Sequence, residues 1–214
     1  MKIVLATRNL GKVREFERLF EEFNMDAQLG GHQRVEVLGL KDFPEMPDVA
    51  ETGSTLLENS LLKARAIAEF TSLPSLADDS GLFVDVLNGD PGIYSARWAG
   101  EHGDDAANTA KVLRQVDELR HLPTFTDRAA FRTVVSLVLP EEPLAPIVET
   151  GEMVGRIIPE PRGEHGFGYD PIFIPDGFDR TSAELLPDEK DAISHRGKAM
   201  RLMAARIREL FASN

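Results

Sequence analysis

The chain has 214 residues, 42% of them apolar, with a formal net charge of −12 and no cysteine. That length and apolar share suit one packed core. The missing cysteine excludes a disulfide framework, a zinc–thiolate site and a cysteine nucleophile. The acidic balance repels a nucleic-acid backbone. No stretch approaches the roughly 20 unbroken apolar residues of a membrane span, and the first residues lack the pattern of a signal peptide. The expectation is a soluble, cytoplasmic protein of one compact domain, residues 1–214, with neither nucleic acid nor membrane as partner. A small anionic substrate would need local cations, a metal ion or backbone N–H groups.

Residues 2–7 (KIVLAT) form a short apolar run that reads as a buried strand. A polar turn, Arg8-Asn9-Leu10-Gly11-Lys12, leads into a helix marked by Val13, Phe16, Leu19, Phe20 and Phe23. Residues 24–53 read as mostly irregular, with Gly30, Gly31, Pro44 and Pro47 as breakers. A second helix is expected over 54–70. Thr55 and Glu58 have capping-box spacing, and Leu57, Leu61, Ala64 and Ala68 form its apolar stripe. Residues 75–77 are a short apolar piece ending in Asp78-Asp79-Ser80-Gly81, and 82–87 reads as a further strand. Asn88 to Gly92 is a strong turn signal, and 108–119 is expected to be helical. The β-rich runs 129–139 and 146–158 read as a long hairpin. A glycine-rich loop over 163–170 precedes the strand-like 172–174. Ser194 opens a final helix whose buried stripe is Met203, Ile207, Leu210 and Phe211. Interleaved strands and helices with a hairpin imply an α/β fold with a mixed sheet.

Five clusters carry chemistry, each with an ordinary structural reading beside it. The turn from Thr7 to Lys12 presents helix N-terminal N–H groups and a lysine, which suits phosphate, although a capped turn with a surface lysine explains it equally. Adjacent Asp78 and Asp79 suit a hard cation and the polarisation of a water, and Gly81 would let backbone approach a ligand. An acidic turn is the plain alternative. Asn59 and Lys63 share a helix face with Glu51 just ahead, as an i,i+4 surface pair also would. Gly166-Phe167-Gly168-Tyr169-Asp170 offers two rings to stack on a base and a carboxylate to accept from it, or covers a core edge. His195 and Arg196 sit in a first helical turn, where the macrodipole disfavours cations. With Lys190 they form a donor set or a surface cluster. No nucleophile elbow, zincin or Walker motif is present, so metal-assisted attack by water is the expected chemistry.

In order, T-R-N-L-G-K, E-T-G-S-T-L-L-E-N-S-L-L-K-A, A-D-D-S-G-L, P-G-I-Y-S-A-R-W-A-G, G-F-G-Y-D-P-I-F and S-H-R-G-K-A make the chain resemble the inosine triphosphate pyrophosphatase family over nearly its whole length. The resemblance implies an elongated mixed β-sheet flanked by helices, two lobes around a central cleft, and a homodimer. It implies magnesium-dependent hydrolysis of ITP, dITP and XTP to the monophosphate and pyrophosphate. By motif match, Thr7, Arg8, Asn9, Leu10, Gly11 and Lys12 hold the triphosphate. Asp79 is the catalytic carboxylate and a metal ligand, with Glu51 the second ligand. Ser80 contacts substrate, and Phe167, Gly168, Tyr169 and Asp170 form the base pocket. Lys190, His195 and Arg196 bind phosphate and the purine edge. Donors facing the 6-keto group would reject adenine. Two alternatives stand beside this reading: a pyrophosphatase of broader specificity for modified nucleotides, and a catalytically idle nucleotide-binding regulator. Ser60, where alanine is frequent, and Trp98, where tyrosine is frequent, depart from the family pattern. The stretches 101–127 and 140–146 match it only loosely.

Overall fold

The computed structural model describes residues 2–29, 34–101 and 103–212. Gly30, Gly31 and the side chain of Phe211 lie outside the described residues. The chain divides into two compact units. Unit 1 comprises Met1–Asp79, Val134–Thr150 and Arg196–Asn214, and unit 2 comprises Ser80–Thr133 and Gly151–His195.

The elements are β1 (Lys2–Leu5), α1 (Leu10–Leu29), β2 (Glu36–Gly39), α2 (Leu56–Thr71), β3 (Ser75–Val84), α3 (Asp105–Leu119), β4 (Arg128–Val138), β5 (Ile147–Ile157), β6 (Phe173–Pro175), α4 (Pro187–Ile193) and α5 (His195–Ala212). Six strands form one sheet in the order β2-β1-β3-β4-β5-β6. β1 is parallel to β2 and β3, whereas β5 and β6 are antiparallel, so the sheet is mixed as expected.

In unit 1, β1 is apolar from Ile3 onward because both its faces are covered. Ile3 and Leu5 join Phe16, Leu19, Phe20 and Phe23 of α1 and Met203 and Ile207 of α5 in one cluster. Val4 and Ala6 join Ala64, Ile67 and Ala68 of α2 in another. The expected helix over 54–70 forms and buries Ala64 and Ala68 of the expected stripe, but its first turns bury other residues than Leu57 and Leu61. Leu56, Asn59, Ser60, Ala64, Ile67 and Ala68 are buried, and Leu57 is 42% exposed. The helix opens on a cap: Thr55 Oγ1 accepts from Glu58 N–H at 3.1 Å, while the Glu58 carboxylate accepts from Ser54 N–H at 2.6 Å. Its buried polar residues are satisfied, Ser60 by Ser136 Oγ at 2.7 Å.

Three expectations are corrected. Residues 24–53 are not mostly irregular: α1 continues to Leu29, and β2 follows. β2 has four residues and only half-buried side chains, too short for a clear alternation. Asp78 to Gly81 is not a turn between two pieces, because β3 runs unbroken through it. A short helix, α4, precedes the one opened at Ser194, and seven residues leave too little periodicity to read.

In unit 2, Leu82, Val84, Val112, Val116, Phe131, Tyr169, Ile172 and Phe173 belong to one core cluster. Gly81 is required for packing: a Cβ there would lie 2.1 Å from Gly92 O. α3 begins three residues earlier than expected, because Asp104 caps it by accepting from Ala107 N–H at 2.9 Å. Among the described residues no helix is long and apolar enough to cross a membrane.

Candidate active site

In unit 1 the turn after β1 is built by its own side chains. Thr7 Oγ1 accepts from Asn9 N–H at 3.2 Å, and Asn9 Oδ1 accepts from Lys12 N–H at 3.0 Å, capping α1. Arg8 is turned elsewhere, its Nε on Asp48 at 2.7 Å and its Nη2 on Met46 O at 2.7 Å. Leu10 is 68% exposed. The Lys12 ammonium lies 2.9 Å from Asp78 Oδ2. Burial lowers its pKa below the ordinary lysine range; Lys63 and Arg196 push the same way, and Asp78 and Asp79 offset only part.

Asp78 and Asp79 are successive residues of a strand, so their side chains leave opposite faces. Asp78 Oδ2 also accepts from Arg196 Nε and Nη2, both at 3.2 Å, and Arg196 Nη1 donates to buried Glu15. Asp79 meets α2: Asn59 Nδ2 donates to its Oδ2 at 3.1 Å, and Lys63 Nζ lies 3.4 Å from its Oδ1. The same ammonium donates to Glu51 Oε1 at 2.7 Å. Asp79 and Glu51 therefore converge on one cation. Burial raises the Asp79 pKa above the ordinary carboxylate range, with Glu51 adding to it, and Lys63, Lys12 and Asn59 only partly oppose this. For Lys63 burial acts to lower the pKa, but Asp79, Asp78 and Glu51 outweigh it and the net shift is upward.

In unit 2, Ser80 Oγ pairs with Thr133 Oγ1 at 2.8 Å. The loop over 166–170 is organised by Asp170, whose Oδ2 accepts from Phe167 N–H at 2.9 Å and from Lys190 Nζ at 2.5 Å. Gly166 has φ +76°, and a Cβ there would lie 2.1 Å from that oxygen, so only glycine fits. Tyr169 Oη donates to Ser95 O at 2.8 Å, and burial raises its phenol pKa. Gly168 N–H donates to Asp105 Oδ2 at 2.7 Å. Phe167 is half-buried, with Lys190 Nζ 5.2 Å from its ring centroid. His195 is buried and stacks on Phe131 at 5.1 Å with an interplanar angle of 11°.

Within unit 1 the structure thus gathers Lys12 and Arg196 around Asp78, and Glu51 and Asp79 around Lys63; within unit 2 it gathers Phe167, Gly168, Tyr169, Asp170 and Lys190. It does not gather the side chains of Arg8 and Leu10 with them. Tyr169 is a core residue and not a second exposed ring, and Asp170 is engaged in folding its own loop. Asn59 and Lys63 share a face as expected, but that face meets Asp79 and Glu51 and is not a solvated pair. Sequence reasoning missed Glu15. Its signal was a carboxylate beside the apolar stripe of α1, next to Phe16. Asp105 gave no signal at all.

The model of the Ham1 family matches residues 3–206 of the chain. The chain belongs to the Ham1 family. A dITP/XTP pyrophosphatase of Bacillus cereus is 45% identical over 210 residues, spanning 98% of this Ham1 chain and 96% of that protein. A solved HAM1 protein of Coxiella burnetii has a TM-score of 0.83 at 40% identity, covering 98% of this chain and 99% of that one. The solved nucleoside-triphosphatase, dITP/XTP pyrophosphatase, of Mycobacterium abscessus has a TM-score of 0.71 at 47% identity, covering 95% and 98%. The resemblance read from the ordered motifs therefore holds over almost the full length.

Proposed function

We propose that this Ham1-family chain is a magnesium-dependent pyrophosphatase acting on deaminated purine nucleoside triphosphates (ITP, dITP and XTP), releasing the monophosphate and pyrophosphate. The names of its relatives support the reaction class. The observation that carries the assignment is the convergence of Asp79 and Glu51 on one ammonium, with half-buried Lys12 held by the neighbouring Asp78. A chain of net charge −12 repels a triphosphate at long range, and half-buried Lys12 together with a magnesium ion held by Asp79 and Glu51 would offset that at short range.

Among the described residues there is no group of three or more His, Asp or Glu side chains that could hold a metal. Magnesium does not require one, since it is usually held by one or two carboxylates plus waters and substrate phosphates. The pair Asp79 and Glu51, already drawn to a single positive charge, fits that pattern. When bound, magnesium supplies neutralisation of the phosphate oxygens and lowers the pKa of nearby water.

The residues of the chain supply the rest. Thr7, Asn9, Gly11 and Lys12 hold the phosphates at the N-terminus of α1, with Lys12 stabilising the departing pyrophosphate. The bond between the α-phosphorus and the bridging oxygen breaks as water attacks that phosphorus. The water proton passes to the Asp79 carboxylate, whose raised pKa makes it a stronger base than an ordinary aspartate. Asn59 and Lys63 fix the Asp79 carboxylate in place. Ser80, the chain neighbour of Asp79, contacts substrate. Phe167 stacks on the purine, and Lys190 with Asp170 secures the loop that carries it. His195 and Arg196 donate to the 6-keto oxygen, which adenine replaces with an amino donor. Guanine shares the 6-keto group, so its rejection falls to the 2-amino position. The whole chain acts as one domain, and it works as a cytoplasmic homodimer.

Phosphorus NMR of dITP turned over by the enzyme tests the reaction. Resonances of dIMP and pyrophosphate are expected. Release of the diphosphate and orthophosphate would overturn the assigned bond. Light scattering tests the dimer, which a monomeric mass at working concentration would refute.

A further inference from the structure

The loop that carries Phe167 is tied at three points within unit 2. Two ties are buried: Asp170 with Phe167 N–H and Lys190, and Tyr169 with Ser95. The third is at the surface, on α3, in a stretch to which neither the motifs nor the proposed mechanism gives a role. There Gly168 N–H donates to Asp105 Oδ2 at 2.7 Å, and Thr109 Oγ1 donates to Gly168 O at 3.4 Å. Asp105 and Thr109 are four apart on one helix face, so together they hold both backbone polar groups of one residue. Asp105 is not spent on capping, because its neighbour Asp104 already caps α3.

Gly168 differs from Gly166 in what fixes it. Gly168 has φ +61°, yet a Cβ there would meet nothing within 4 Å. Packing therefore does not impose this left-handed backbone, and glycine has several other conformations open to it. The turn bond from Asp170 N–H to Phe167 O at 3.3 Å closes over Gly168, and the bonds from α3 hold that residue's own N–H and C=O in this one. Phe167 is the residue immediately before, so the direction of its ring depends on that selection.

We propose that Asp105 is a positioning residue for base recognition, holding Gly168 so that Phe167 presents its ring to the purine. This rests on the reading of Phe167 as the ring that stacks on the base. The experiment compares Asp105→Ala, Asp105→Asn and Phe167→Ala in KM and kcat for dITP and in inhibition by inorganic tripolyphosphate, which has no base. Asp105→Ala raises KM about tenfold and leaves kcat within about twofold, the size of one charge-assisted hydrogen bond expressed in binding alone. Tripolyphosphate inhibition stays unchanged. Asp105→Asn, which keeps an oxygen to accept from Gly168 N–H, recovers most of the KM. A merely structural role would weaken dITP and tripolyphosphate together or lower kcat, and either result overturns the proposal. An unchanged KM in Asp105→Ala beside a raised KM in Phe167→Ala overturns the role of Asp105 and leaves the base reading standing. No effect in either variant overturns both. Should Asp105→Ala fail to fold, Asp105→Ser, suited to a first helical turn but too short to reach the loop, reads the same split.

Discussion

The two units solve different physical problems with the same residue types. In unit 1, carboxylates and cations that are buried or half-buried face one another: Asp78 with Lys12 and Arg196, Asp79 and Glu51 with Lys63. In unit 2, the carboxylates of Asp170 and Asp105 accept from backbone N–H groups and shape a loop. The first arrangement stores electrostatic potential for a charged ligand, because groups held in low dielectric interact strongly. The second stores geometry for an uncharged ring. Substitutions in unit 1 should therefore change turnover and charge dependence, and those in unit 2 should change selectivity and stability.

The largest expected effect is that of Asp79→Asn. It keeps the fold and lowers kcat by about 10³-fold or more, as loss of a positioned base does. Circular dichroism with a pyrophosphate-release assay checks both halves, and retained turnover would remove Asp79 from the chemistry. Next, Lys12→Ala lowers kcat/KM for triphosphates by about 10²-fold, the scale for loss of one charge-stabilising donor; a normal value would remove Lys12 from the phosphate site. In unit 2, Asp170→Asn removes the carboxylate 2.5 Å from buried Lys190 and costs about 3 kcal/mol of stability, measurable by urea unfolding. Stability within error of wild type would show that the pair does not hold the loop.

A smaller effect concerns pH. Asp79 must be ionised to take a proton, and burial raises its pKa, so the acid limb of activity lies above the ordinary carboxylate range. Lys12 must be charged to hold phosphate, and burial lowers its pKa, so the alkaline limb lies below the ordinary lysine range. A bound cation favours ionised Asp79, so raising magnesium moves the acid limb to lower pH. An acid limb insensitive to magnesium would separate Asp79 from the metal. Smallest of all, Tyr169→Phe removes one bond to Ser95 O and costs about 1 kcal/mol without altering kcat.

The sequence was most informative where a motif is also a local structure. Thr7, Asn9 and Lys12 read as a strand-to-helix turn because the Thr7 and Asn9 side chains build it, the latter on Lys12 N–H, and Ser136 answers the unusual Ser60 from across the chain. It was least informative where partners are remote. Asp78 to Gly81 looks like a turn by composition, yet it lies in the middle of β3 because Gly81 must clear Gly92 O and the two aspartates meet ammonium groups from opposite sides. Glu15 lies 181 positions from Arg196, and Gly168 lies 63 from Asp105, so no local pattern announces either pair. In α2, Ala64 and Ala68 were legible as core, but buried Asn59 and Ser60 were not, because their partners Asp79 and Ser136 are remote in sequence. β2 and α4 were lost because four and seven residues carry too little periodicity.

The central claim is that a magnesium-dependent site built on Asp79 serves deaminated purines. Its most direct test is the rate of pyrophosphate release from ITP, dITP, XTP, GTP, ATP and TTP, with and without magnesium, at equal enzyme concentration. The account predicts rapid, magnesium-dependent release from the first three and little from the others. Equal rates on all six would contradict the purine readout, and release that persists undiminished without magnesium would contradict the role given to Asp79 and Glu51.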